Sequence, residues 1–255
     1  VVVAACLTLV ADGADIRVIW ANAGGDREFT NVDNWHTQTN ASVHQLPGYA
    51  ADTGNGDISN AIIQGSGPAS LNSPFTPAYD FDVLIVRGSQ TLNINADLNI
   101  TNVPISVGNS GSTDTVNHSN GVVTASALSI YTTNCTYNMS SGTLALVTGN
   151  IASGLMNQSG GDVTVSNLYV GSDAVSNSAQ YNLSGGTLTA TSVTVRASGE
   201  LRLTGGSLVK TPLIHNGDNL HIDPGGLLEI SGGVHDLYGR IYNYGPVRVI
   251  GNAAT

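Results

Sequence analysis

Lysine is almost absent from this 255-residue chain: Lys210 stands alone, and Lys and Arg together number eight against 18 Asp and Glu. Charged residues make up 10% of the sequence, against roughly 25% in ordinary soluble domains. With a formal charge of −10 and its few cations scattered, the chain has no basic stripe to displace counterions from phosphates, so nucleic acid is excluded as a partner. Aromatic residues are also few, at 5%. No apolar run reaches the length of a membrane-spanning helix. The two cysteines, Cys6 and Cys135, lie too far apart for a metal or redox motif. One disulfide between them and two unpaired thiols are the alternatives, the second being the simpler.

In place of charge there are 31 glycines and runs of Ser, Thr and Asn. Val, Ile, Thr and Tyr are plentiful while Glu, Lys and Arg are scarce, which favours strand over helix throughout. From Val116 onward one pattern recurs. VNHSNGVVTA (116–125) is followed by YNMSSGTLAL (137–146), MNQSGGDVTV (156–165), YNLSGGTLTA (181–190), LRLTGGSLVK (201–210) and a looser copy from Leu220. The starts are 21, 19, 25, 20 and 19 residues apart, with the extra length of one unit falling in 172–180. Whole units resemble one another, the mark of a repeat architecture.

Within a unit the alternation puts Tyr181 and Leu183 on one face and Asn182 and Ser184 on the other. Gly185-Gly186 supplies a corner, Leu188 and Ala190 resume the inward series, and Val193 and Val195 are expected to begin another strand after Thr191-Ser192. Such a unit cannot bury its apolar face alone, and stacking closes the core. The expected fold is therefore all-β: a single-stranded parallel β-helix, or β-solenoid, preferred over a β-sandwich. About eight coils between Asp80 and Thr255, at about 4.8 Å each, predict a rod near 40 Å long. Three regions are expected: an apolar segment (1–14), a non-repeating N-terminal cap (15–80) carrying Trp20 and Trp35, and the coils (81–255). Residues 60–77, rich in Ser, Gly and Pro, read as a loop.

The apolar segment VVVAACLTLV has three readings. It resembles the end of a secretory leader, its Val3-Ala4-Ala5-Cys6 stretch fits a lipoprotein-type cleavage box, or it persists as a strand. In the last case Val1, Val2, Val3, Leu7, Leu9 and Val10 would add to the exposed edge of a neighbouring copy.

The order Trp20, Asn34-Trp35, Pro47-Gly48, Asp52, followed by units of the type Ser184-Gly185-Gly186-Thr187-Leu188, resembles large secreted bacterial proteins with autotransporter-like β-strand repeats, many of which carry a PEP-CTERM sorting tail. The resemblance implies a β-helix exported to the cell surface or matrix. The sequence to Thr255 contains no Pro-Glu-Pro signal or basic-tailed apolar helix.

Parallel β-helices include polysaccharide lyases and hydrolases, which need paired carboxylates or a carboxylate cluster with a basic partner. Asp80 with Asp82, Asp52 with Asp57, and Arg196 and Arg202 with Lys210 are the candidates, none in a specific motif. The Asp52–Asp57 stretch is oxygen-rich enough for calcium but reads better as turns. The histidines at 36, 44, 118, 215, 221 and 235 have no metal-ligand spacing and read as surface or turn residues. No catalytic, cofactor or metal residue is assigned, and a polysaccharide lyase or hydrolase stands as the least favoured reading. Of the Asn-x-Ser/Thr sequons at 40, 99, 117, 134, 138, 157 and 182, Asn117, Asn138, Asn157 and Asn182 share the outward second position of the repeat. There they serve as glycosylation acceptors or, the favoured reading, as a stacked amide ladder. The function expected is an extracellular structural protein assembling with itself. The alternative is an adhesin or carbohydrate-binding rod using the 172–180 loop and Tyr238, Tyr242 and Tyr244, with cell-surface polysaccharide as partner.

Overall fold

A computed structural model describes residues 16–20, 26–37, 47, 58–64, 67–77, 82–173, 178–210, 219–237 and 240–250. Its regular structure is strand apart from one short 3-10 turn at Val32–Asn34, and all but one of the strand pairings are parallel, which establishes the β-solenoid and excludes the antiparallel sandwich. Nine strands form one continuous face: Ala69–Leu71, Thr91–Ile94, Thr115–His118, Thr136–Met139, Gly154–Gln158, Ala179–Leu183, Gly199–Leu203, Leu227–Ile230 and Val247–Val249. Eight steps of about 4.8 Å make this face about 38 Å tall.

The second sheet turns a corner. In Val122–Ile130, Thr143–Ile151, Asp162–Val170 and Thr187–Val195 the buried positions change parity midway. Leu188 and Ala190 face inward, Thr191 and Ser192 are both half-buried, and Val193 and Val195 face inward again. The ladder skips one residue at this place, pairing Val165 with Ala190 and then Asn167 with Ser192. The expected pair of strands is thus one nine-residue strand with a bend. Two successive outward residues rotate the inward face, so the chain rounds the core without a turn that would break the ladder. In the coils on either side the same two stretches separate, as Leu98–Ile100 with Ile105–Val107 and as Ser207–Lys210 with Asn219–Ile222. Each coil consequently presents three faces.

The other corner needs glycine. Gly186 has φ of +74°, and a Cβ there would stand 2.1 Å from the carbonyl oxygen of Gly161 in the coil before. Gly161, at φ +73°, is in the same relation to Gly142, whose carbonyl would lie 2.5 Å away. A side chain at either place would push neighbouring coils apart, so the recurrent glycine is a stacking requirement as well as a conformational one.

Parallel stacking begins before residue 81. Ile58–Ile63 pairs with Ile16–Trp20 on one side and with Val83–Val86 on the other. With Ala69–Leu71, it also corrects the loop expected over 60–77: Ala61, Ile62, Ile63, Ala69 and Leu71 are buried, so this stretch supplies core residues despite its turn-rich composition. Trp35–Thr37 runs antiparallel along Ile16–Trp20, the only antiparallel pairing among the described residues. Beside it Trp20, Phe29, Trp35 and Phe75 pack edge to face at centroid separations of 5.0–5.4 Å, and Trp35 Nε1 donates to the Phe29 carbonyl at 2.7 Å. A single apolar core runs from this aromatic group to Leu220, Ile222 and Leu228.

Candidate functional site

Outward on the nine-stranded face, the residues at the second position of the repeat are in register, and their amides form a chain. Asn182 Nδ2 donates to Asn157 Oδ1, Asn157 to Asn138, Asn138 to Asn117 and Asn117 to Asn93, each at 3.0 Å. Asn93 passes the chain to Ser70 Oγ at 3.4 Å. An amide carries both donor and acceptor, so asparagine can repeat in such a column where a charged group, only donor or only acceptor, would end it. The candidate glycosylation residues Asn117, Asn138, Asn157 and Asn182 therefore all lie in one half-buried ladder. Among the described residues, the exposed sequon asparagines are Asn99, which accepts from Thr124 Oγ1 at 2.6 Å, and Asn134, in a turn.

The ladder changes chemistry at Arg202, which lies in register with Asn182. Asn182 Oδ1 and Arg202 Nε are buried there without hydrogen-bond partners. From that coil on, ion pairs replace amides. Arg202 bonds Glu200 at 2.9 Å, Glu229 is its register partner in the next coil, and Arg248 bonds Glu229 at 3.3 Å. The hydrogen bond to Glu200 holds the Arg202 guanidinium above its ordinary pKa. In the sequence Arg202 groups with Arg196 and Lys210, although Glu200, two residues earlier and hence on the same face, is the available signal for its partner.

Inside the core a second arrangement recurs every two coils. His118 Nε2 lies 3.2 Å from the Gly121 carbonyl and Nδ1 lies 3.1 Å from the Tyr137 hydroxyl. A carbonyl only accepts, so Nε2 carries the proton and Nδ1 accepts from Tyr137. Two coils later in the same columns, Tyr181 Oη donates to Gln158 Oε1 at 2.6 Å while Gln158 Nε2 donates to the carbonyls of Gly161 and Thr187 at 3.0 and 2.9 Å. Each buried polar group thus grips its own glycine corner and is capped by a tyrosine from the coil above. Burial lowers the His118 pKa and raises those of Tyr137 and Tyr181. The surface or turn placement expected for His118 is corrected: it is a core residue, and burial favours its neutral form.

Cys135 is buried and free, its Sγ 2.7 Å from Thr132 Oγ1 and accepting from the Asp114 backbone N–H at 3.2 Å. Asp114 is itself buried, accepting from the Gln90 N–H at 2.7 Å and from Ser112 Oγ. Cys6 and with it the disulfide alternative, the strand residues Val1, Val2, Val3, Leu7, Leu9 and Val10, the Asp52–Asp57 calcium stretch, Asp80, Asn40, His44, His215 and Tyr238 lie outside the described residues. Asp82 is exposed immediately before Val83–Val86. Arg196, just after Thr187–Val195, stacks its guanidinium 4.8 Å from the centre of the Tyr169 ring, whereas Arg202 lies in the nine-stranded face and bonds Glu200, so these two candidates have separate partners. Among the described residues no three His, Cys, Asp or Glu side chains are arranged to hold a metal ion, and no helix is long and apolar enough to cross a membrane.

These features define the class: a parallel β-solenoid with a glycine-cornered, amide-laddered surface. In comparisons with known proteins the chain matches no family model, no curated protein and no solved structure.

Proposed function

We propose that this protein is a structural rod of an extracellular surface or matrix, whose copies associate end to end. One observation carries the reading. Among the described residues, the last strands of the three faces, Val234–Asp236, Arg240–Asn243 and Val247–Val249, each have a strand partner on one side only. Along them Val234, Ile241, Val247, Val249 and Ile250 are exposed, Val234 by 80% and Val249 by 71%. Unpaired strand edges and exposed valines together form a template for another strand. The opposite end differs, since an antiparallel strand and buried aromatic rings lie there. Two unlike ends make a head-to-tail contact, which propagates instead of closing. Each exposed Val or Ile that a neighbour covers contributes roughly 1.5–3 kcal/mol before ordering costs.

The apolar segment 1–10 is the strand this reading supplies to the neighbouring copy. Its test is electron microscopy with sedimentation of the full chain, the chain lacking residues 1–10, and a Val249→Asp variant. Fibres from the full chain that are lost in both others are the expected result. Monomers at every concentration from the full chain, or fibres untouched by both changes, defeat the reading. The low lysine content, the sequence resemblance and the stacked uncharged amide surface support an extracellular setting.

A further inference from the structure

The corner where the second sheet gives way to the nine-stranded face holds an open groove of about 590 Å³. Its floor is made of small residues: Ser178, Ala179, Ala197, Ser198, Gly199 and Gly225. Its polar wall comes from Gln180, Glu200 and Arg202. Gln180 Nε2 donates to Glu200 Oε2, and Glu200 holds Arg202 at 2.9 Å, so the three side chains are fixed relative to one another. The groove adjoins the coil whose extra residues, 172–180, set it apart from the other repeats.

A few residues along the same turn stands an aromatic group. The His221 ring lies 5.7 Å from that of Tyr242 and 5.6 Å from that of Tyr244, and its Nε2 lies 3.5 Å from Asp223 Oδ1. Tyr244 continues the register that pairs Ile222 with Asn243, which sets it over Asp223, two residues from Gly225 in the groove. It is 64% exposed. Large aromatic rings normally bury their area, so one held at the surface beside a polar groove has a face free for a ligand.

We propose that this corner binds a neutral glycan chain, one sugar ring lying on Tyr244 while adjacent units exchange hydrogen bonds with Gln180, Glu200 and Arg202. The chemistry fits a polyhydroxylated ligand. Glu200 accepts, Gln180 does both, and Arg202 donates, matching hydroxyls that are donors and acceptors at once. Neutrality follows from charge. Arg202 is offset by Glu200 and by Glu229 in the next coil, and the whole chain carries −10, which repels a polyuronate. The small-residue floor lets a flat sugar approach the backbone closely. Tyr244 lies in the last described coil, between Arg240–Asn243 and Val247–Val249, but sugar binding does not require assembly, and its failure would leave the end-to-end reading standing.

The test is calorimetric titration of the full chain with cellohexaose, mannohexaose and maltohexaose, and with hexagalacturonate as the anionic comparison. At least one neutral hexasaccharide should bind, with Tyr244→Ala and Gln180→Ala each weakening it by about tenfold, or ~1.4 kcal/mol. Tyr131→Ala, an exposed tyrosine elsewhere, should leave binding unchanged. Circular dichroism identifies any variant that has lost the fold, and the Gln180 variant then carries the test if the Tyr244 one fails. No binding of any neutral sugar at about 10 mM, stronger binding of hexagalacturonate, or folded variants that bind like the parent would each overturn the proposal.

Discussion

Replacing Tyr181 by phenylalanine removes one oxygen atom from a ring that is 1% exposed, leaving its packing in place. That oxygen donates to Gln158 Oε1 at 2.6 Å, and Gln158 is fully buried. The amide oxygen would be left in the core with no donor, which costs about 1–3 kcal/mol. Gln158→Met costs more, about 2–4 kcal/mol, because it orphans the Tyr181 hydroxyl and takes a donor from the Gly161 and Thr187 carbonyls. In the double variant neither partner remains to be orphaned, so its cost should fall short of the sum by at least about 1 kcal/mol. Urea unfolding followed by circular dichroism measures all three. Stability in a solenoid passes between neighbouring coils, so fluorescence of Trp20 and Trp35, which lie in the first described coils, should report a smaller shift than the strand signal. A Tyr181→Phe variant within about 0.5 kcal/mol of the parent, combined with an additive double variant, would refute the two-coil tyrosine device.

Gly186→Ala should destabilise more than Gly111→Ala. Both have positive φ, worth about 1–2 kcal/mol to an L-residue, but a Cβ at Gly186 also meets the Gly161 carbonyl at 2.1 Å, whereas nothing lies within 4 Å of one at Gly111. Thermal melts decide it, and equal losses would mean the corners do not stack as described. For His118, the folded pKa is depressed below its unfolded value of 6.5, so the unfolded chain takes up the proton first. Its stabilising contribution is therefore complete above about pH 6.5 and is lost as pH falls through the folded value. His118→Gln should flatten this part of the stability–pH profile, and an unchanged slope would count against a buried neutral imidazole. Cys135 should resist a thiol reagent in native protein carrying Cys6→Ser and react at once in urea, with fast native labelling contradicting its burial. Intact-peptide mass spectrometry should find Asn138 and Asn157 unglycosylated, because each Nδ2 is spent on the asparagine of the preceding coil.

The repeat made much of this protein legible before any coordinates. A glycine closing the polar turn of each unit, with apolar residues alternating on either side, marked Tyr181, Leu183, Leu188, Ala190, Val193 and Val195 as inward, and all six are buried. The outward asparagines are likewise aligned as the alternation required. Residues 60–77 were misread because turn-forming Ser, Gly and Pro dominate locally, while the buried Ile62, Ile63 and Leu71 gain their strand partners from residues more than twenty positions away. His118 was misread for the same reason: nothing within its own coil announces the tyrosine above it.

Amino-acid order alone determined the strand class, the length of the coil, the glycine corners and which side chains turn inward. These are local consequences of backbone stereochemistry and of a two-residue period. Only the tertiary structure decided which residues become axial neighbours, because coils of unequal length, one of them lengthened by an insertion, are brought into register only when they stack. The amide ladder, the Tyr–His and Tyr–Gln pairs and the groove beside Glu200 and Arg202 all depend on contacts between coils some twenty residues apart, which no single repeat contains.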